Sequence, residues 1–113
     1  MRVTSGLWVG AYIRRCFAEG AMAAVVRHGA DEAGAILVVV DRLDQTSDLY
    51  GPAPQSAFTD GRPQDRLFQL LTSGAGRPDI DKRLADEFRF DPDIWVVEVE
   101  DREGRSFLDL VES

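Results

Sequence analysis

Five consecutive apolar residues, Ile36-Leu37-Val38-Val39-Val40, constrain this chain more than any other feature. Side chains of a strand point alternately to opposite faces, so a run with no polar member cannot lie on a sheet that has one wet side. The run is read as a central strand covered on both faces. At 113 residues the chain is long enough for one such core and too short for two independent ones, so a single domain covering 1–113 is expected.

The flanking sequence supplies the rest of an α+β fold. From Leu7 to Glu19, Val9, Ile13, Cys16 and Phe17 recur at helical spacing, widened by Trp8 and Tyr12, with Arg14 and Arg15 on the other side. Thr4 or Ser5 can cap this helix and Gly20 can stop it. Met22 to Arg27 reads as a strand that forms a hairpin with the central one. After a turn at Asp41–Asp48, Leu49 and Tyr50 begin a third strand that Gly51 and Pro52 stop. Arg66 to Leu71 reads as the fourth, between flexible loops at about 53–65 and 72–78. Ile80, Leu84 and Phe88 mark the inner stripe of a second helix over Asp79–Phe90, and the stretch from Ile94 to Glu100 alternates as a strand. Phe107, Leu108 and Leu110 form a final edge strand or short helix. The order is α-β-β-β-β-α-β with an optional last β, in an antiparallel-rich sheet of about five strands. The strand-helix-strand order from Arg66 to Glu100 allows one parallel crossover.

Composition removes several functions. The longest apolar run is far below the roughly 20 residues that span a bilayer, so no membrane span is expected. The first ten residues have no apolar stretch of the signal-peptide kind, which points to the cytoplasm. One cysteine, Cys16, permits no internal disulfide, and one histidine, His28, removes the paired-histidine metal signatures. Neither a metal nor a cofactor is expected. Net charge is −7, and it is uneven: residues 1–78 carry eight basic and eight acidic side chains, residues 79–113 carry five and twelve. An acidic surface of this kind repels phosphate backbones and disfavours nucleic acid.

The segments Leu7-Trp8-Val9, Arg14-Arg15, Leu49 to Gln55 and, above all, Arg89-Phe90-Asp91-Pro92-Asp93-Ile94-Trp95-Val96-Val97-Glu98-Val99-Glu100-Asp101 resemble a family of short alphaproteobacterial proteins known as domain of unknown function 1491. The likeness covers nearly the whole chain. It implies a small bacterial single-domain protein and brings no reaction, cofactor or ligand, so no functional residue is carried over.

Four constellations are weighed on their own chemistry. Asp91, Asp93, Glu98 and Glu100, with Asp101 after them, offer carboxylates for acid–base work or for a hard cation. Spacing argues against a compact site, because Asp91 and Asp93 lie about five or more residues of ~3.3 Å rise from the far end of the strand, and a capped turn with a solvated strand face is the favoured reading. A magnesium or calcium site would need Asp41, Asp44 or another loop carboxylate alongside. Gly74-Ala75-Gly76 invites a phosphate cradle, but Asp79 and Asp81 put negative charge where the anion would sit. Arg14 and Arg15, with Arg2 and Arg27, could contact RNA or an acidic partner, or merely keep a helix soluble. Tyr50, Gly51, Pro52 and Pro54 suit an extended contact segment or a plain strand stop. Cys16 reads as a core residue and His28 as solvated. A non-enzymatic binding or adaptor module, meeting a protein partner or a second copy of itself, is therefore the leading expectation. The alternatives are a carboxylate-dependent, metal-assisted hydrolase or isomerase, and RNA contact through the arginines.

Overall fold

The computed structural model describes residues 3–54 and 66–111. The elements are α1 (Ser5–Ala18), β1 (Met22–Arg27), β2 (Ile36–Asp41), β3 (Ser47–Pro52), β4 (Phe68–Ala75), α2 (Arg77–Phe90) and β5 (Trp95–Glu100). The five strands form one mixed sheet in the order β1-β5-β2-β3-β4. Strand β2 is its middle member and pairs antiparallel with β3 and parallel with β5.

The apolar run behaves as its pattern demands. Ile36, Val38 and Val40 join the core under α1, while Leu37 and Val39 join the core under α2. All five are 3% exposed or less, and each such burial stabilises by about 1.5–3 kcal/mol. The same alternation sorts β5, with Trp95, Val97 and Val99 on the α1 side and Val96 on the other.

Helix α1 begins where Thr4 accepts the amide of Leu7 at 3.3 Å, and it ends before Gly20, which takes a φ of +89°. Its first amides do not wait for solvent. Ser5 and Gly6 donate to the carbonyls of Glu32 and Asp31 at 3.2 and 2.9 Å, so the helix is tied to the loop after β1. Val9, Tyr12 and Cys16 are buried, but Phe17, expected on the inner face, is 51% exposed. Burial of Ser5 in its place, with its hydroxyl on the Gly34 carbonyl at 2.6 Å, turns the helix face away from Phe17.

Three further expectations are corrected. The β1–β2 hairpin does not form, because β5 lies between the two strands and takes both as partners. A local turn between β1 and β2 supplies no hydrogen bonds that could outweigh the six-pair parallel ladder of β2 with β5. The loop expected at 72–78 is largely absent: β4 runs to Ala75 and α2 starts at Arg77. Of the expected 53–65 loop, 55–65 lie outside the described residues. The last segment is neither strand nor helix. It turns at Gly104 (φ +71°), crosses beside α1 and meets β4 in a single parallel bridge, Leu110 to Phe68.

Candidate functional site

The carboxylates sort by strand parity. Glu98 and Glu100 share the α2 face of β5, and the parallel register places Asp41 opposite Glu100 and Val39 opposite Glu98. Ligand oxygens of Asp41, Glu98 and Glu100 lie within 4.8 Å of one another. Arg77, at the start of α2, donates to Glu98 at 2.7 Å and to Asp81 at 3.1 Å, and the Glu98 contact raises the pKa of its guanidinium. One of three clustered negative charges is thereby neutralised within the chain. Asp91 and Asp93 are not part of this group. Asp91 closes α2 and accepts the Asp93 amide at 3.0 Å, and the Asp93 carbonyl accepts from Ala30 at the opposite end of β5. The missing member is Asp41, the carboxylate whose folding alongside was the condition for a cation site. Asp44 instead accepts from the hydroxyl and amide of Thr46, which hold its carboxyl below the usual range.

Among the described residues, the arginines of the expected patch do not converge. Arg14 and Arg15 are exposed on α1, while Arg27 reaches the other face of the sheet, its guanidinium 3.4 Å from the ring centroid of Phe88 on α2. Arg2 lies outside the described residues. The expected contact segment also divides. Tyr50 is 7% exposed and packs in the α1-side core, Gly51 is buried, and only Pro52 and Pro54 are exposed. A Cβ on Gly51 would stand 2.7 Å from Leu71, so this position is small for packing and not for contact. The glycines at 74 and 76 belong to β4 and to the cap of α2, and Arg77, the residue that could favour an anion there, is committed to carboxylates.

Cys16 lies in the core and His28 at the surface. Cys16 is fully buried beside Tyr12, and burial pushes its thiol pKa up. Tyr12 donates to the Ser106 carbonyl at 2.5 Å, and its own pKa is raised, mainly by burial. His28 lies 3.4 Å from Asp31 with its ring against Trp95, and its side chain is 61% exposed.

The concave feature that sequence reading did not assemble lies between α1 and the last segment. Trp8, Ala11, Tyr12, Arg15, Phe107, Leu108 and Asp109 line an open groove of about 170 Å³. Trp8 forms its floor, stacked on Tyr12 at 4.9 Å and tilted on Phe68 at 5.3 Å. Arg15 stands on its wall, and among the described residues it has neither ion pair nor hydrogen bond from its side chain. The available signal was Trp8 at the margin of the helix stripe. Phe107 and Leu108 could be joined to it only through tertiary contact.

Comparison with known proteins agrees with this fold. The family described as "Protein of unknown function (DUF1491)" matches residues 3–109. A protein from A. tumefaciens, solved in solution, is 43% identical over 100% of this chain and 98% of its own, with a TM-score of 0.86. A crystal structure of a DUF1491 family protein from Caulobacter crescentus is 38% identical, with 100% of both chains covered and a TM-score of 0.78. An NMR structure of a DUF1491 family protein from the same organism is 41% identical over 100% of this chain and 99% of that one, with a TM-score of 0.79. No curated protein matches.

Proposed function

The chain belongs to the DUF1491 family, and on that footing we propose that it is a small protein-binding module that receives an extended segment of a partner in the groove between α1 and residues 106–109. The groove itself carries the reading. At about 170 Å³ it falls short of the roughly 300–1,000 Å³ of pockets that enclose a small molecule. It has room for one bulky apolar side chain of a larger ligand. Trp8, Tyr12, Phe107 and Leu108 offer that side chain an apolar bed, and Arg15, the one cation of the lining, would meet a carboxylate beside it, while Asp109 sets itself against a second one. The segment favoured by this chemistry pairs an aromatic or leucine side chain with an acidic neighbour. A cytoplasmic address goes with the reading, supported by a single cysteine that is free and buried in the core.

Selection from a displayed peptide library tests this. Enrichment of apolar-acidic peptides whose binding is lost in Arg15→Glu and kept in Arg83→Glu, on α2, supports the reading. Enriched peptides that bind Arg15→Glu equally well overturn it.

A second reading rests on Asp41, Glu98 and Glu100. With Arg77 holding one charge, two remain, and a hard divalent cation would neutralise them through oxygen ligands. Such an ion could serve metal-assisted hydrolysis or isomerisation at the carboxyl ends of the parallel strands β2 and β5. A rise in melting temperature with Mg²⁺ or Mn²⁺ that Glu100→Gln abolishes would favour this reading, and no rise would remove it.

A further inference from the structure

The groove between α1 and the last segment carries opposite charges at its two ends, because the segment runs against the direction of the helix. It starts at the C-terminal end of α1, where Arg105 donates to the Glu19 carbonyl at 3.3 Å and holds Asp101, the residue after β5, with two bonds of 3.0 and 2.9 Å. It passes Tyr12, whose hydroxyl donates to the Ser106 carbonyl. It finishes beside the first turns of the helix. There the Asp109 carbonyl accepts the Phe68 amide at 2.9 Å, the Phe68 ring lies against Trp8, and Arg66 donates to the Ser5 hydroxyl at 3.2 Å. Asp109 therefore lines the Trp8 end of the groove and Arg15 lines the end toward Glu19.

Neither charge is neutralised within the described residues. The Arg15 and Asp109 side chains are exposed, and they make no ion pair or hydrogen bond there, with each other or with a third group. Between them the lining is Trp8, Ala11, Tyr12, Phe107 and Leu108, none of which is charged. Trp8 and Arg15 stand seven residues apart on α1, so two helical turns, about 10 Å, separate the two ends. An extended chain covers that span in about three residues.

Opposite charges across such a contact attract and like charges repel. Resting on the reading that the groove takes an extended partner segment, we infer that the segment is dipolar, with an acidic side chain over Arg15, an apolar side chain on the Trp8 bed and a basic side chain at Asp109. The charges also set which way the segment lies, since the reversed alignment puts each charge against its like.

Fluorescence anisotropy with dye-labelled, end-capped synthetic peptides tests this. All probes share a Phe-Leu centre. The mixed probe has Glu on one side of it and Lys on the other, the second probe has Glu on both sides, and the third has Lys on both. A fourth has the composition of the mixed probe with Glu and Lys side by side. The wild-type chain binds the mixed probe about three- to tenfold more tightly than any other, since a favourable pair replaces a repulsive or absent one. High salt shrinks that preference. Asp109→Lys turns the preference to the double-Glu probe, and Arg15→Glu turns it to the double-Lys probe. Circular dichroism stays unchanged in both, because the two side chains are exposed and Asp109 meets Phe68 through its backbone. Equal binding of the mixed and double-Glu probes by the wild-type chain overturns the inference, as does a preference that Asp109→Lys leaves in place or equal binding of the side-by-side probe. In those cases weaker binding of the Glu-bearing probes by Arg15→Glu still upholds the groove reading. Binding of none of the probes, or binding that Arg15→Glu does not alter, overturns the groove reading and the inference with it.

Discussion

Arg42 and Asp48 form a two-pronged ion pair in which one partner is sealed and the other is not. Nε and Nη2 of Arg42 reach one oxygen of Asp48 at 3.0 and 2.6 Å, and the second oxygen accepts the Gly74 amide at 2.8 Å. The Asp48 side chain is 1% exposed, that of Arg42 37%. The pair therefore binds the β2–β3 turn to β4, and the guanidinium lies so close over Gly104 that a Cβ there would stand 2.6 Å from it.

This asymmetry predicts unequal losses. Asp48→Asn keeps an acceptor for Gly74 and leaves Arg42 free to meet water, so it costs about 1–3 kcal/mol. Arg42→Ala strands a buried carboxylate and costs more, because a charge left uncompensated inside is the expensive outcome. Urea denaturation of both, and of the double variant, measures the order. The double variant should lose less than the two single losses added together.

Asp101 gives the acid limb. Hydrogen bonds from the Arg105 side chain, foremost, and from its amide hold the Asp101 carboxyl below its usual pKa. A carboxylate favoured in the fold contributes stability that is present above the unfolded pKa, near 3.8, and is lost as pH falls through the lower folded value. Stability should therefore decline below about pH 4, and Asp101→Asn should flatten that part of the curve while lowering stability at neutral pH. Denaturation midpoints from pH 7 down to pH 2 check the sign.

Glycines separate by what surrounds them. A Cβ on Gly29 or Gly34 would stand 2.4 Å from the Asp93 carbonyl oxygen, which the two residues bracket, whereas at Gly10 it meets only the Arg14 guanidinium at 3.6 Å. Gly29→Ala and Gly34→Ala should each cost about 1–3 kcal/mol or more. Gly10→Ala, inside α1, should add about 0.5–1 kcal/mol. Thermal melts of the three variants are sufficient.

The phenylalanines of α2 make a matched pair. Phe88 lies under the Arg27 guanidinium, and Phe90 is 88% exposed. Phe88→Ala should cost about 1 kcal/mol or more, and Phe90→Ala should change stability by less than about 0.5 kcal/mol. Equal losses would show that the Arg27 contact contributes nothing.

Local pattern was enough for the elements themselves. The stripe Val9, Ile13 and Cys16 of α1, though not its expected member Phe17, the stripe that begins at Ile80, and the unbroken run from Ile36 to Val40 each follow from a period that a single segment contains. Thr4 and Gly20 were legible for the same reason, because caps act over a few residues. Of the site, the sequence displayed Glu98, Glu100 and the exposed Arg15, each on a recognisable face.

What needed the tertiary structure was adjacency between distant segments. Pairing of β5 with both β1 and β2 set the strand order and brought Asp41 to Glu98 and Glu100. Passage of the last segment beside α1 made a groove from Trp8 and Phe107, and burial took Tyr50 out of any contact surface. The physical reason is the same in each case. Periodicity fixes which face of a strand or helix is apolar, but every strand with a matching face is a permissible neighbour. The unbroken apolar run thus determined by itself that β2 lies under cover on both sides; that β5 stands next to it, and β1 alone at the border, was decided only when the whole sheet closed around one core.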